Sequence, residues 1–289
     1  MRFLFVDRIL QLSSSAGSAR GIKRITQDDI YVTADTEGQF CFMPSIIGET
    51  LGQLTAWEVM ANCDFQKRPV AGVVERATLH HSAYVGDTLA LESWIDRQDD
   101  ESVRYHGHVH VGDTLIFSLE GALGPMLPMD EFIDSALVRR QFAEINRPGD
   151  WPLPQTVVQT PLPTTNRPVS LCFDAITLDE PGVRMDAVKQ ITRASPYFPD
   201  HFPYKPVLPL TVLLECKMQL AQTFLARAGL STYRIRALQR IKMNDFVQPG
   251  DEVHTQVSVK SQTEEAMVLH FRSEVAGKRV CVLDIVLDA

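Results

Sequence analysis

The chain has 289 residues and a formal net charge of −8, with 45% apolar and 22% charged residues. This length allows one large domain or two ordinary ones, and the composition is that of a globular protein with a real core. The negative charge gives no global reason to expect binding to nucleic acid or to an anionic membrane surface. Five scattered cysteines without CxxC spacing disfavour both a disulfide framework and a zinc site.

No targeting or membrane segment is predicted. In the N-terminal run MRFLFVDRIL, Asp7 and Arg8 interrupt an apolar stretch that is too short for a signal peptide. No window approaches about 18 uninterrupted apolar residues, the length that predicts a membrane-spanning helix. We therefore expect a cytoplasmic protein that has no membrane span and needs neither a metal nor another cofactor.

The first predicted element is a short strand, RFLFVDRIL, followed by a polar turn and a second strand-like run. A loop with aromatic residues and proline then leads into an apolar helix, MPSIIGETLGQLTAWEVMANC. From Glu75 to Leu123, alternating apolar and polar residues predict antiparallel strands with turns at Gly86-Asp87 and Gly112. The stretch Met129–Asn146 has helical spacing.

Six prolines fall in Arg147–Pro168, which predicts an extended linker. After it the same order of elements returns: a short strand SLCFDAITL, an apolar helix KPVLPLTVLLECKMQLAQTFLARAG, and alternating strands with turns at Gly250-Asp251 and Gly277. This order indicates an internal duplication, in which Met129–Asn146 has no counterpart. We predict two domains, 1–146 and 169–289, joined by 147–168.

The helix of each half is apolar nearly all the way round, which is typical of a helix covered on most sides. A long central helix wrapped by a curved antiparallel sheet satisfies this pattern. The sequence therefore predicts an α+β fold with two such units, whose sheets can join edge to edge.

Two motifs of the second half lie close together, HFPYKPVLP and LLECKMQ, and in the second an acid is followed four residues later by glutamine. These motifs resemble those of the hot-dog fold β-hydroxyacyl-(acyl carrier protein) dehydratases, as do FLFVDRIL in the first half and FVQPGDEV in the second. The resemblance covers most of each half and implies a double hot-dog. The second half departs from the family by having Pro209-Leu210 where the family has Pro-Gly.

Dehydration of a 3-hydroxyacyl thioester removes a proton from C2 and expels the hydroxyl from C3. The resemblance implies that His201 is the base and that Glu215, a buried carboxyl, protonates the leaving hydroxyl. Backbone N–H groups around Leu210 would bind the thioester carbonyl. Gln219, one helical turn after the acid, would either orient its carboxyl or only pack, and Phe202 would contact the substrate.

The first half carries an altered version of this motif. Gln39 takes the place of His201, and Gln53 takes the place of Glu215, whereas the family glycine is retained at Gly48. An amide neither takes up nor delivers a proton at pH 7. The first half has therefore lost both the base and the acid.

The consequence depends on which halves pair. Pairing within the chain would give two incomplete sites, one with His201, Gly48 and Gln53 and the other with Gln39, Leu210 and Glu215. In the first of these, Gln53 would hydrogen-bond to the leaving hydroxyl, and Glu49 is a candidate for the missing acid. Pairing between the second halves of two chains would instead bring His201 to Glu215.

Two structural alternatives stay open. Glu215 also fits a buried ion pair with Lys217 or with an arginine. The run HGHVH places three histidines on one strand face, which fits either a metal site or, the interpretation we favour, an exposed sheet face: His106, His108 and His110.

The leading hypothesis is a 3-hydroxyacyl-thioester dehydratase of fatty-acid, polyketide or polyene-type synthesis. Its substrate would be tethered to an acyl carrier protein or to coenzyme A, and the chain would act as a homodimer or beside a partner synthase subunit. One alternative is a hot-dog thioesterase that uses Glu215 as the base. Another is a catalytically decayed subunit that binds acyl groups or serves as a scaffold.

Overall fold

A computed structural model of the chain describes residues 3–13, 15–35, 37–150 and 168–289. Most of the predicted linker lies outside these residues. The elements before it are β1 (Arg8–Ser13), β2 (Ser18–Arg24), β3 (Val32–Ala34), β4 (Phe40–Phe42), α1 (Pro44–Asn62), β5 (Lys67–Pro69), β6 (Val73–Leu79), β7 (Thr88–Gln98), β8 (Ser102–Val111), β9 (Thr114–Pro128), a 3-10 turn (Met129–Glu131) and α2 (Ser135–Ile145).

The elements after the linker are fewer. They are β10 (Ala175–Glu180), β11 (Arg184–Gln190), α3 (Leu210–Arg227), β12 (Arg234–Met243), β13 (Glu252–Gln262), β14 (Ala266–Val275) and β15 (Lys278–Asp288). The predicted turns are present, because Gly86, Gly112, Gly250 and Gly277 all have positive φ, a backbone conformation that favours glycine. The alternation in the sequence thus located the long strands of both halves correctly.

Thirteen of the strands form one antiparallel sheet. Its order is β1-β2-β7-β8-β9-β6-β12-β15-β14-β13-β11-β10, with β5 added to β9, while β3 and β4 form a separate hairpin. The two halves meet where β6 pairs with β12, in the register Val74↔Ile241 and Ala77↔Leu238. On one side of this junction the order is β6-β9-β8-β7-β2-β1, and on the other side it is β12-β15-β14-β13-β11-β10. Each half therefore arranges its successive strands in the same way.

The two long helices lie against this sheet and against each other. α1 contacts α3 as well as β2, β7 and β8. Both helices are buried on several sides, including Leu51 and Leu54 of α1 and Val212 and Leu213 of α3, as their nearly uniform apolar sequences predict. The sheet and the two helices together enclose the space described below.

The opening strands begin later than predicted. β1 starts only at Arg8, and the five residues before it have no regular secondary structure. Phe3 and Phe5 are nevertheless buried. The backbone N–H of Phe5 donates to the side chain of Gln53 on α1 instead of to a neighbouring strand. In the second half, the predicted strand SLCFDAITL becomes a strand only from Ala175.

The stretch Met129–Asn146 is helical, as predicted. After the 3-10 turn, the side chain of Asp134 caps α2 by accepting a hydrogen bond from the Leu137 backbone N–H at 2.9 Å. Within the described ranges, no helix is long and apolar enough to cross a membrane.

The three histidines of HGHVH share one face of β8. His106 stacks on Trp94 and lies 2.7 Å from Asp96, and His108 meets the edge of the same Trp94 ring. Among residues 3–13, 15–35, 37–150 and 168–289, no group of three or more histidine, cysteine or acidic side chains is arranged to hold a metal ion.

One carboxyl of α1 is buried without compensation. Glu58 is 1% exposed, and neither of its carboxyl oxygens has a hydrogen-bond partner among the described residues. Burial raises the pKa of Glu58 from 4.5 to about 7. Between these two values the folded protein retains a proton that the unfolded chain has released.

We expect Glu58→Gln to change the pH dependence of stability. Because the folded pKa of Glu58 is raised, its contribution to stability is lost as pH rises from about 4.5 to about 7, by up to about 3 kcal/mol. The free energy of unfolding of the variant should not show this decrease when urea unfolding is compared at pH 5 and pH 8. Glu264→Gln, on an exposed turn, is the control, and a slope unchanged in Glu58→Gln would contradict the assignment.

A second prediction concerns the contact between α1 and β8. A Cβ at Gly107 would lie 2.6 Å from the Glu92 carbonyl oxygen and 3.1 Å from the Leu51 side chain. Gly107→Ala should therefore lower the free energy of unfolding by about 2–3 kcal/mol. Gly52→Ala in α1 is the control, since its Cβ would make only an ordinary 3.4 Å contact. Equal urea midpoints for the two variants would contradict this prediction, because they would show that the residues around Gly107 shift to accommodate the added methyl group.

Candidate active site

A cavity of about 210 Å³ lies where the two halves meet. Its wall is formed by residues of α1, α3, β5, β6, β8, β9 and β12, with further residues from α2, from the N-terminal segment and from the loop before α3. Six of the predicted site residues line it: Gly48, Glu49, Gln53, His201, Phe202 and Leu210. The wall is mostly apolar with a smaller number of polar side chains, which is typical of a site for a small-molecule ligand.

His201 is held in one orientation. Its Nδ1 lies 3.0 Å from the Val207 carbonyl oxygen, which can only accept, so Nδ1 carries the proton and Nε2 is left as an acceptor. The ring stacks on Phe202 at 4.0 Å and meets the edge of Phe3 at 5.6 Å. Burial lowers the pKa of His201 to about 3, assisted by Arg68, while the bond to Val207 opposes this shift. The imidazole is therefore neutral.

Arg68 on β5 is a polar residue of the cavity wall that the sequence did not reveal. Its guanidinium carbon lies 4.0 Å from the centre of the Phe202 ring, a cation–π distance. Its Nε is buried and has no hydrogen-bond partner among the described residues. Burial lowers the pKa of Arg68 to about 9, and the carboxyl of Glu49 acts in the opposite direction.

Gln53 is anchored by the irregular N-terminal segment. Its Oε1 accepts from the Phe5 backbone N–H at 2.9 Å, and its Nε2 lies 3.2 Å from the Phe3 carbonyl oxygen and 2.9 Å from Glu49 Oε1. A primary amide has two N–H donors, and these two partners use both. Gln53 therefore has no N–H left for the hydroxyl of a substrate, contrary to the role expected for it.

Glu49 lies one helical turn before Gln53 and reaches across to the other half. Its Oε2 is 2.7 Å from the hydroxyl of Thr211, in the first turn of α3. Burial raises the pKa of Glu49, while Thr211, Gln53 and Arg68 act in the opposite direction. Asp200 is the other carboxyl of the cavity wall, and it accepts from the Phe3 backbone N–H at 3.3 Å.

The glycine of the altered motif has a packing role. α1 begins at Pro44, so Gly48 lies beyond the first turn, whose N–H groups lack intrahelical acceptors. A Cβ at Gly48 would lie 3.1 Å from the Phe117 ring, which explains the absence of a side chain. α3, by contrast, begins at Leu210, so the free N–H groups of its first turn lie at the cavity wall.

Glu215 does not line this cavity, so the chain does not bring it together with His201 in one site. The carboxyl is 1% exposed and sits at the start of α1, where Oε2 accepts from the Ser45 hydroxyl at 2.7 Å. Oε1 accepts from Gln219 at 3.2 Å, as the spacing of one helical turn predicted. Burial raises the pKa of Glu215, and the bonds to Ser45 and Gln219 oppose the shift.

The alternative of an ion pair between Glu215 and Lys217 is wrong. The ammonium of Lys217 is fully buried and lies 3.1 Å from the sulfur of Cys281, away from the acid. Gln39, the counterpart of His201, lies in the turn between β3 and β4, where its side chain is exposed and its backbone pairs with Asp35. Gln39 is not part of the cavity wall.

The second half of the chain is similar in sequence to known dehydratases. Residues 178–283 match the family model of the ApeI-like dehydratases. The chain is 32% identical over 109 residues to the 3-hydroxyacyl-[acyl-carrier-protein] dehydratase FabZ of Rickettsia massiliae. The matched region covers 36% of this chain and 74% of that protein. The chain belongs to the hot-dog dehydratase family. That family assignment agrees with the resemblance seen in HFPYKPVLP and LLECKMQ.

Two solved structures extend the likeness of fold over nearly the whole chain. An acyl-ACP thioesterase from Bacteroides thetaiotaomicron superposes with a TM-score of 0.55 at 13% identity and covers 96% of this chain and 100% of its own. The dehydratase domain of PpsC from Mycobacterium tuberculosis, in complex with C12:1-CoA, has a TM-score of 0.50 at 9% identity over 98% and 97% of the two chains. At these identities the comparison concerns the hot-dog fold alone.

We expect the bond between Ser45 and Glu215 to stabilise the junction of the two helices. Ser45→Ala removes the hydroxyl that donates to a buried carboxyl, and should lower the free energy of unfolding by about 1–3 kcal/mol. In the Glu215→Leu background the same change should cost much less, because no carboxyl is left without a donor. A double-mutant cycle by urea unfolding measures the difference, and additive effects would show that the bond contributes nothing.

Proposed function

We propose that the chain is a 3-hydroxyacyl-thioester dehydratase built as a double hot-dog. Its units would be residues 1–146 and 169–289, with 147–168 as the linker. Support comes from the matching strand order on either side of the β6–β12 junction and from the cavity at that junction. The helical segment α2 would be an addition to the first unit that closes part of the cavity wall.

The observation that carries the proposal is the state of His201. With Nδ1–H committed to the Val207 carbonyl, the free Nε2 of a neutral imidazole lies in a largely apolar cavity. A neutral imidazole nitrogen beside a bound thioester is the base that abstraction of a C2 proton requires. Two further polar groups of the cavity wall, Glu49 and Thr211, are bonded to each other at the first turn of α3.

The cavity would hold the substrate in one orientation. The thioester carbonyl would lie toward the first turn of α3, where the N–H groups around Leu210 and Thr211 can stabilise an enolate oxygen. The acyl chain would follow α1 from Glu49 to Met60, both of which line the cavity, a span of about 16 Å along the helix. Leu238 and Ile241 of β12 would cover its other side.

The substrate class follows from this chemistry together with the relatives. The Rickettsia protein carries acyl carrier protein in its name, and the PpsC domain was solved with a CoA ester. We therefore assign to this chain a 3-hydroxyacyl group on one of these two carriers. Fatty-acid, polyketide and polyene-type synthesis all form such intermediates.

We expect His201→Gln to abolish dehydration. The substitution introduces the residue that the first half carries at Gln39, and an amide cannot take up the C2 proton, so turnover should fall by at least about 100-fold. The assay measures enoyl formation from 3-hydroxyacyl thioesters of several chain lengths, on both carriers. His254→Ala, at an exposed position on β13, is the control and should retain full activity.

The same assay separates the competing functions. Release of free thiol without enoyl formation would identify a thioesterase. Undiminished enoyl formation by His201→Gln would remove His201 from the mechanism. If the wild type were inactive on every substrate alone and active only beside another synthase subunit, a scaffolding or acyl-binding role would replace the proposal.

A further inference from the structure

We infer that Glu49, and not the family acid position, delivers the proton to the leaving hydroxyl. This inference rests on the proposed dehydratase function. The acid of the family motif survives as Glu215, but that carboxyl lies outside the cavity and is bound to Ser45 and Gln219. The equivalent residue on the helix that does face His201 is Gln53, which has no proton to give.

The hydrogen bonds of Gln53 exclude it even as a donor to the hydroxyl. Its oxygen accepts from Phe5, and its two N–H groups are taken by the Phe3 carbonyl and by Glu49. Gln53 therefore positions the carboxyl of Glu49, from one helical turn away. Thr211 holds the other oxygen of that carboxyl from the facing helix, so the acid is fixed on both sides.

The leaving group also calls for an acid in this place. Without one, the hydroxyl would leave as hydroxide, a strongly basic anion that a mostly apolar cavity stabilises poorly. If Glu49 releases its proton in the same step, the hydroxyl leaves as water, and the weaker base that remains beside the imidazolium is a carboxylate. Arg68 interacts electrostatically with Glu49 and favours the carboxylate that forms.

The step balances in atoms and electrons. Nε2 of His201 takes the C2 proton, and the electron pair of that C–H bond forms the C2=C3 double bond as the C3–O bond breaks. The proton of the Glu49 carboxyl joins the departing oxygen, which leaves as water. The imidazolium then returns its proton to the carboxylate through solvent once the product has left, so no oxidant or reductant is needed.

The test compares three carboxyl-to-amide variants on one 3-hydroxyacyl thioester. Glu49→Gln should lose enoyl formation by about 10²–10⁴-fold, because the amide can keep the bonds to Gln53 and Thr211 but holds no transferable proton. Glu215→Gln, whose carboxyl lies outside the cavity, and Glu264→Gln, on an exposed turn, should remain within about threefold of wild type. The Michaelis constant of Glu49→Gln should change little, since the shape of the site is retained.

A substrate with another leaving group separates proton delivery from mere positioning. Chloride leaves without being protonated, so a 3-chloroacyl thioester should be converted by Glu49→Gln at a rate near that of wild type, above the uncatalysed background. His201→Gln should fail on both substrates. The pair Glu49→Asp and Glu49→Asn gives a second comparison at equal size, in which only the acid should retain measurable dehydration.

Each result decides between defined outcomes. If Glu49→Gln forms enoyl product as fast as wild type, the inference is overturned while the dehydratase function stands, and loss in Glu215→Gln would return the role to the family position. If Glu49→Gln fails on the chloro substrate as well, Glu49 supports the structure of the site and is not the proton donor. If the wild type forms no enoyl product, the proposed function and this inference fall together.

Discussion

The candidate site depends on one interaction, the antiparallel pairing of β6 with β12. Each of these strands ends the main run of strands in its half, so pairing them makes a single sheet and removes two free edges that would otherwise be open to aggregation. The same pairing sets α1 against α3. The loop that carries His201 therefore faces the first-half helix, although its own half carries the acid of the motif.

At the junction, an acid of each helix contacts the beginning of the other helix. Glu49 binds Thr211 in the first turn of α3, and Glu215 binds Ser45 in the first turn of α1. Carboxyl groups are favoured at such ends by the helix dipole and by the free N–H groups. The two contacts are alike in chemistry and differ in where the acid lies, because Glu49 lines the cavity whereas Glu215 does not, although its partner Ser45 does. The contact of Glu215 thus joins the two helices, whereas the contact of Glu49 also places a carboxyl at the cavity wall.

Much of this arrangement can be predicted from local patterns in the sequence. Alternation located the long strands, apolar runs located the two helices, and the comparison of motifs predicted that His201 would meet Gly48 and Gln53 if the halves paired within the chain. The bond between Gln219 and Glu215 followed from their spacing. The second partner of Glu215 could not be predicted, because Ser45 is 170 residues away and nothing in the motif indicates it. Arg68 lies on a three-residue strand without a recognisable motif. The apolar pattern around Phe3 and Phe5 predicts a strand. The hydrogen bonds of this segment to the side chain of Gln53 cannot be predicted from the spacing of apolar residues.

That N-terminal segment also bears on the order in which the molecule is assembled. Phe3 packs against His201, and its backbone N–H bonds Asp200, 197 residues further along the chain. A ribosome therefore releases the first residues of the site long before their partners exist. The first half can form its strands early, but the cavity is completed only when the second half has emerged and docked. Closure of the cavity is thus a late event in biogenesis, and a nascent chain that stalls before His201 cannot complete the cavity wall.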